Sequence, residues 1–185
     1  MEKRRSACRG YTLLELLVAM SLVLTIMAWA GPAMSEILLS IRMKSGAQAI
    51  FDTLELARSE AVKRNGRVVI CKSASGEACE REAAWEQGWI VFQDLNNNGL
   101  RDPGEATLHR EPALPPTLRV RGNMPVQDYV SYTAYGRSKL ASGAFQAGTF
   151  TVCTHSGRST EARQVIINSA GRPRMSKAGP SSCTA

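Results

Sequence analysis

A stretch in the middle of the chain carries oxygen-bearing side chains at the spacing of a calcium-binding loop. The candidate ligands are Asp94, Asn96, Asn98, Asp102 and Glu105. Oxygen ligands at alternate positions can wrap a hard cation, and the glycine at position 99 permits the sharp turn that such a loop needs. One interpretation of this stretch is therefore a calcium site.

A structural hairpin explains the same residues and is the interpretation we favour. Residues 88–93 and 106–111 have the composition of strands, whereas the calcium loop needs flanking helices. Two of the three early ligands are neutral amides, which lowers cation affinity. Asn and Gly also suit the positive φ of a tight turn. We expect neither a resident metal nor another cofactor.

The end of the chain concentrates positive charge. The whole chain has a net charge of +7, and from residue 158 onward there are five basic residues and one acidic residue. The basic residues are Arg158, Arg163, Arg172, Arg174 and Lys177. Guanidinium groups stay charged and can bond phosphate oxygens bidentately. Charge alone thus favours a polyanion as partner, and a solvated basic tail or a tail that docks a neighbouring acidic subunit remains the alternative.

The residues around this basic segment restrict its conformation. Gly171 permits a turn before Arg172, and Pro173 fixes φ between Arg172 and Arg174. Fewer conformations then have to be frozen on binding, and double-stranded DNA bound without regard to sequence needs little beyond such a stripe.

Catalysis has little support in the sequence. Neither GxSxG nor HExxH occurs, and the chain has two histidines, His109 and His155. We predict that the protein is not an enzyme.

A long apolar run precedes all of these residues. It extends from residue 11 to residue 30, after a basic head that ends at Gly10. About twenty such residues can span a bilayer as a helix, with the basic head on the cytoplasmic side. An unpaired Glu15 in hydrocarbon would cost about 2.5 kcal/mol or more, so we expect it to find a partner. An ordinary signal peptide or anchor would explain the length of the run but neither Gly10 nor Glu15.

The rest of the chain predicts an α+β fold, in which a long N-terminal helix packs on a C-terminal antiparallel β-sheet or sandwich. Met43, Ala47, Ile50, Leu54, Ala57 and Ala61 recur at spacings of four and three. Such spacing predicts one face of a helix that continues to about residue 64 and stops at Asn65-Gly66. Strands are predicted at 67–73, 88–94, 106–111, 117–122, 129–135, 148–155 and 163–169.

Four cysteines lie in this predicted domain. They are Cys71, Cys79, Cys153 and Cys183. In a domain delivered outside the cytoplasm they favour two disulfides, for which three pairings are possible. We favour Cys71–Cys79, which closes a short loop, and Cys153–Cys183, which ties the tail to a strand. A zinc site is the alternative, but no CxxC spacing supports it.

The N-terminal residues resemble the class III signal of type IV pilins and pseudopilins. In that family a prepilin peptidase cuts after the glycine, methylates the new N-terminus and needs the glutamate five residues on. The resemblance implies a cleaved leader (1–10), with Tyr11 as the first mature residue and Glu15 as the fifth. It then implies a transmembrane half of the helix (11–30), an amphipathic half (31–65) and a globular β domain with a basic tail (66–185). The subunit would lie in the bacterial inner membrane with its C-terminal domain in the periplasm, and later in a filament.

Inner motifs are similar to those of the GspH/FimT group of minor pilins and pseudopilins. They are Glu60 to Asn65, Gly88 to Phe92 followed by Asp94 to Gly99, and Gly171 to Arg174. In the FimT branch a C-terminal GRxR motif binds DNA during natural transformation, and Gly171, Arg172 and Arg174 match it. The resemblance also implies contact with other pilins through the N-terminal helix, where Glu15 would pair with a neighbour's methylated N-terminus. A minor pilin that primes or caps the filament and a type II secretion pseudopilin are the alternatives.

Overall fold

The structure, a computed structural model, describes residues 11–155 and 161–183, and for residues 29–33 it describes the backbone alone. Gly10, the leader 1–10 and Arg158 therefore lie outside the described residues. The chain divides after Leu38 into two compact units. The second unit, Leu39–Ala185, is called the head below.

Helix α1 extends over Leu13–Lys63. Its C-terminal end follows the prediction: Asn65 adopts a left-handed φ of 49°, and the amide of Gly66 donates to the carbonyl of Ala61 at 3.1 Å. An amide that bonds back five residues satisfies a carbonyl that would otherwise be orphaned at the helix end. The predicted stop at Asn65-Gly66 is therefore where the helix ends.

The helical face predicted from residue spacing is buried in the head. Met43, Ala47, Ile50, Leu54, Ala57 and Ala61 are all at most 4% exposed. The small residues Ala47, Ala57 and Ala61 on this face let the helix approach the sheets closely. The α+β class, with a helix packed on antiparallel sheets, is confirmed.

Eight strands follow the helix and form two antiparallel sheets. They are β1 Arg67–Lys72, β2 Trp89–Asp94, β3 Thr107–Glu111, β4 Leu118–Gly122, β5 Tyr129–Tyr132, β6 Gly148–Thr154, β7 Ala162–Ile167 and β8 Pro173–Ala178. The first sheet has the order β3-β2-β1-β5, and the second has the order β4-β6-β7-β8. Three short 3₁₀ turns lie at Trp85–Gln87, Met124–Val126 and Pro180–Cys183.

Strand β8 was missing from the sequence prediction, which treated these residues as a basic tail. The structure pairs it with β7 over its whole length, from Ile167↔Pro173 to Ala162↔Ala178. The strand has Pro173 at its first position and charged residues at two others, and both features weaken a strand pattern. They are features of edge strands, where Pro and charge discourage pairing with other chains.

One core joins the helix to both sheets. Trp85 packs edge-on against Phe150 at 5.0 Å and against Trp89 at 6.2 Å between ring centroids. The indole of Trp89 donates to the hydroxyl of Thr53 on α1 at 3.1 Å. The head therefore has an apolar core of its own, whose buried members lie from Met43 onward among the described residues.

The part of α1 before the head presents large apolar side chains that are exposed. Leu13, Leu14, Leu16, Leu17, Met20, Leu24, Ile26 and Met27 are each at least 60% exposed. Among the described residues, no helix has the length and apolar character required to span a membrane. The membrane segment predicted over 11–30 stays a prediction.

Candidate functional site

The turn between β7 and β8 is built on Asn168 and Gly171. The amide of Gly171 donates to the carbonyl of Asn168 at 2.9 Å. The side-chain oxygen of Asn168 accepts from the amides of Ala170 and Arg172, both at 3.0 Å. Because Gly171 has a φ of +77°, glycine is favoured at this position. This turn sets the direction in which Arg172 and Arg174 leave it.

The turn is seated against the loop that follows β5. A methyl group on Gly171 would lie 2.6 Å from the carbonyl oxygen of Gly136, 2.8 Å from the amide nitrogen of Ser138 and 3.0 Å from the ring of Tyr132. Only a residue without a side chain allows this approach. The position of the basic hairpin, by which we mean residues 162–178, is thus fixed by packing as well as by pairing.

Arg172 and Arg174 lie on one face of the basic hairpin. Residues two apart on a strand point to the same side, both arginines are exposed, and Pro173 between them is buried. Among the described residues, neither guanidinium group has an ion pair or a side-chain hydrogen bond. Their charges are therefore available to a partner, on an edge strand that offers access.

Arg163 and Lys177 do not join this pair. They are register partners of each other on β7 and β8, and both bind Glu161, at 3.3 Å and 3.5 Å. With Lys44 and Ala47 of α1 they line a cavity of about 150 Å³. They lie on the inner face of the second sheet, the face that packs on α1. Arg174 is on the opposite, outer face, so the predicted cluster is divided by the sheet, and Arg158 lies outside the described residues.

A second basic region lies at the end of α1, around an open cleft of about 910 Å³. Its charged lining residues are Arg64, Arg67, Asp94, Arg137 and Lys139. Arg64 is paired with Glu60 at 2.6 Å, and Arg67 donates to the hydroxyl of Ser131 at 3.2 Å. Because two of the four cations are already used internally, this cleft attracts anions less than its count of basic residues suggests.

The stretch predicted as either a calcium loop or a hairpin connects β2 to β3, which pair antiparallel. The carboxylate of Asp94 accepts from the amides of Asn98 at 3.2 Å and Gly99 at 2.9 Å. The carboxylate of Glu105 accepts from the amides of Leu95 at 2.8 Å and Asp102 at 2.9 Å.

The remaining predicted ligands are bonded to each other. The side-chain amides of Asn96 and Asn98 donate to Asp102 at 2.8 Å and 2.7 Å. Within residues 11–155 and 161–183, no three His, Cys, Asp or Glu side chains come together as a metal site would require. These contacts favour the hairpin interpretation, in which the carboxylates stabilise the turn.

The structure contains two disulfides. Cys71 is bonded to Cys79, with 5.5 Å between Cα atoms, and Cys153 is bonded to Cys183, with 5.9 Å. Both distances lie in the range for unstrained backbones. The second bond ties the 3₁₀ turn after β8 to the middle strand β6.

At the N-terminus, Tyr11 and Glu15 are exposed. Thr12 supplies a helix cap that sequence reasoning missed, because its hydroxyl accepts from the amide of Glu15 at 3.3 Å. The spacing T-x-x-E, which is characteristic of a capping box, was the available signal. Glu15 thus takes part in starting the helix, besides any role for its charge.

Comparison with known proteins agrees with this architecture. Residues 5–31 match the prokaryotic N-terminal methylation motif, and residues 46–171 match the family described as type II transport protein GspH. The chain is 27% identical over 175 residues to the pilin-like protein PilA1 of Thermus thermophilus, which covers 90% of this chain and 97% of the relative.

Two crystal structures have a similar fold. The type IV minor pilin FimU of Pseudomonas aeruginosa has a TM-score of 0.52 at 22% identity, over 75% of this chain and 90% of that one. The minor pseudopilin EpsH of the Vibrio cholerae type II secretion system has a TM-score of 0.51 at 11% identity, over 72% and 92%.

An N-terminal methylation motif, a long helix and a head of antiparallel sheets define the type IV pilin-like class of subunits. Within this class, the chain belongs to the GspH family, whose match covers more than half of its length. Membership implies a membrane-anchored pilus subunit that associates with other pilins in a filament.

Proposed function

We propose that this chain is a minor pilin that binds double-stranded DNA without sequence preference, through Arg172 and Arg174, for uptake in natural transformation. One observation carries the proposal: two exposed arginines lie on the same side of the hairpin, Arg172 just before the edge strand and Arg174 on it, with no ion pair among the described residues. Guanidinium groups in this state can each replace a counterion at a phosphate.

The turn that precedes the arginines supports the proposal. A flexible tail would lose conformational entropy on binding DNA, and this loss weakens affinity. Here the backbone on both sides of Arg172 is held, by the side chain of Asn168 before it and by the pairing of β8 with β7 after it. Only the two side chains remain to be ordered.

The N-terminal residues have their own part in this proposal. Prepilin peptidase cleaves after Gly10, Tyr11 becomes the methylated first residue, and Glu15 pairs with the N-terminus of a neighbouring pilin. Before assembly the subunit is held in the inner membrane with its head in the periplasm, and afterwards it is carried in the filament.

The experiment is a DNA titration of the head with duplex of random sequence, at several salt concentrations. A fragment that starts at Met34 suits this purpose, because the buried core of the described residues begins at Met43. Wild-type protein should bind at low salt. Arg172→Ala with Arg174→Ala should weaken binding about tenfold and reduce the salt slope by about 1.8, or 0.9 for each lost phosphate contact.

Lys177→Ala is the matched control, because it removes one positive charge from the same strand but from the inner face. Its effect on DNA affinity should be less than half of that of the double arginine variant. A wild-type head that leaves the duplex unbound at low salt would refute DNA binding, and unchanged binding by the double variant would refute the site.

A purely structural minor pilin, which primes or caps the filament, is the second candidate, and a type II secretion pseudopilin is its variant. The exposed apolar side chains of Leu13 to Met27 favour it, since they need lipid or other helices around them. The fold does not separate the two, because TM-scores to FimU and EpsH are 0.52 and 0.51. A deletion that abolishes transformation and spares piliation favours DNA uptake, whereas lost piliation favours the structural role.

A further inference from the structure

We infer that the DNA-binding surface extends across the outer face of the second sheet, so that Arg119 and Arg121 on β4 contact the duplex together with Arg174 on β8 and Arg172 just before it. This inference rests on the proposed function and extends its site to residues on the opposite edge of the sheet. Neither charge counting nor the GRxR motif points to β4.

The strand register places these arginines on one face. One row across the sheet consists of Arg121, Thr151, Gln164 and Ser176, and the row on one side of it consists of Thr149, Ile166 and Arg174. Arg119 is two residues from Arg121 and so shares its face, and its register partner is Cys153, which is bonded to Cys183. Residues that face each other across neighbouring antiparallel strands point to the same side. Val120, Val152 and Val165, which alternate with these residues, belong to the core. The two rows are therefore on the outer face.

The chemistry of this face suits a nucleic-acid backbone. Its arginines on β4 and β8 are exposed, and the residues between them in these two rows, the middle of the face, are half-buried. The middle carries hydroxyl and amide groups, of which the amide of Gln164 and the hydroxyl of Thr151 are 3.4 Å apart. Neither of the two rows named above contains a carboxylate. Ser, Thr and Gln side chains and arginines are the groups that contact phosphates and sugars in protein–DNA complexes.

The width of the face matches the dimensions of a duplex. Three strand spacings of about 4.8 Å separate β4 from β8, which gives about 14 Å. The major groove of B-DNA is about 12 Å wide, so arginines on the two edges can reach the phosphate backbones on both sides of one groove. Two arginines on one edge strand could contact only one of these backbones.

Two basic residues on the inner face provide a control for the outer-face arginines. Arg163 and Lys177 are on the same strands as outer-face residues but lie on the inner face, where both are paired with Glu161. Removing them subtracts the same charge from the protein as removing Arg119 and Arg121. A comparison of the two double variants therefore separates the position of charge from its amount.

The test uses the full chain in a neutral detergent with duplex DNA of random sequence, between about 50 and 200 mM salt, the range over which phosphate contacts change affinity most clearly. Arg119→Ala with Arg121→Ala should weaken binding about tenfold and reduce the salt slope by about 1.8, as expected for two lost phosphate contacts. Arg163→Ala with Lys177→Ala should stay within about twofold of wild type. Thermal melting confirms that each variant is folded.

A second variant keeps every arginine. Gln164→Glu places a carboxylate in the middle of the face, and it should weaken DNA binding at low salt. Arg119→Lys with Arg121→Lys should recover most of the affinity that the alanine variants lose, because the charges remain.

The outcomes separate the inference from the proposed function. If Arg119→Ala with Arg121→Ala binds as tightly as wild type while Arg172→Ala with Arg174→Ala does not, the extended face is wrong and the GRxR site stands. Equal losses from the outer and inner double variants would mean that net charge alone matters, which overturns the face as well. A wild-type chain that fails to bind DNA, or that binds an acidic pilin head in its place, ends both proposals.

Discussion

The carbonyl oxygen of Gly136 would lie 2.6 Å from a methyl group placed on Gly171. The same oxygen accepts a hydrogen bond from the guanidinium of Arg58 on α1 at 3.0 Å. Gly136 thus connects two parts of the head, since the helix holds it from one side and the turn of the basic hairpin packs on it from the other. The position of Arg172 depends on this contact.

Gly171→Ala should destabilise the head by about 2–4 kcal/mol. About 1 kcal/mol comes from a left-handed φ that alanine adopts poorly, and about 1–3 kcal/mol comes from overpacking against Gly136 and Ser138. Denaturant unfolding measures the loss. DNA affinity should fall as well, because the turn that directs Arg172 and Arg174 has to move.

Gly143→Ala is the matched control for this change. Gly143 has a similar φ of +88°, but no atom lies within 4 Å of the position that a methyl group would take. It should cost only the backbone term of about 1 kcal/mol. Equal losses at the two positions would mean that the contact with Gly136 contributes nothing.

The disulfides should contribute unequally. Cys153 and Cys183 are 30 residues apart, whereas Cys71 and Cys79 are 8 apart. Loop-closure entropy then gives about 3.6 kcal/mol for the longer loop and about 2.5 kcal/mol for the shorter one. Unfolding of the two paired Cys→Ala variants measures both. If the shorter loop proves more costly to open, native-state contacts outweigh chain entropy at these sites.

Helix α1 and seven strands could be predicted from the sequence because burial imposes a period. The row from Met43 to Ala61 follows the helical period, and β-branched residues mark the strands. Strand β8 could not be predicted in this way, since an edge strand with Pro173, Arg174 and Lys177 gains its order from pairing with β7.

The candidate site shows the same limit. Charge counted along the sequence places Arg163 and Lys177 in one basic group with Arg174. Which face a residue occupies depends on register, and one residue of shift moves a side chain through the sheet. For the same reason, no feature of the sequence indicates that Arg121 of β4 shares a face with Arg174.

Tyr132→Phe should stabilise the head by about 1 kcal/mol. The side chain is fully buried, and its hydroxyl has no hydrogen-bond partner among the described residues. Removing a buried, unsatisfied polar group removes its desolvation cost. Tyr135→Phe is the control, because Tyr135 is 88% exposed and its loss of a hydroxyl should leave stability unchanged.

The same variant should change the alkaline limit of stability. Burial, and next the negative charge of Glu55, raise the pKa of Tyr132 above its usual value. A phenol whose pKa is higher in the folded state than in the unfolded state favours folding fully below the unfolded-state pKa of about 10. Above that pH, the unfolded state loses its proton first, and the free energy of unfolding falls. At pH 11 the loss is about 1.4 kcal/mol. The free energy of unfolding of the Tyr132→Phe variant should therefore fall less steeply than that of wild type between pH 10 and pH 11. Parallel curves of unfolding free energy against pH for the two proteins would contradict this account.

Asp94→Ala should destabilise the β2–β3 hairpin by about 2–3 kcal/mol, with or without calcium. Asp94 is 2% exposed, and its loss leaves the amide of Gly99 without its acceptor and the amide of Asn98 with the side-chain oxygen of Asn96 alone. Asp102→Ala should cost less, because Asp102 accepts from exposed side-chain amides. Calcium should give neither heat in calorimetry nor a thermal shift. A calcium-dependent rise in melting temperature that both variants abolish would establish the metal site.

Glu15→Gln should keep the helix and lose assembly. The cap of α1 is formed by the backbone amide of Glu15 and the hydroxyl of Thr12, so a glutamine at position 15 preserves it, while the charge that would pair with a neighbouring N-terminus is removed. Thr12→Ala is the complementary change. It removes the cap, at a cost of about 1 kcal/mol of helix stability, and keeps the charge.

Incorporation into filaments separates these two roles of Glu15, and the mass of the N-terminal peptide shows whether each variant is cleaved and methylated. We expect the Thr12→Ala subunit to enter filaments and the Glu15→Gln subunit to remain outside them. In the Glu15→Gln variant the positive charge of the neighbouring subunit's N-terminus would have no partner. An unpaired charge in hydrocarbon costs about 2.5 kcal/mol or more. If Thr12→Ala is the variant that fails, the glutamate matters chiefly as part of the helix start.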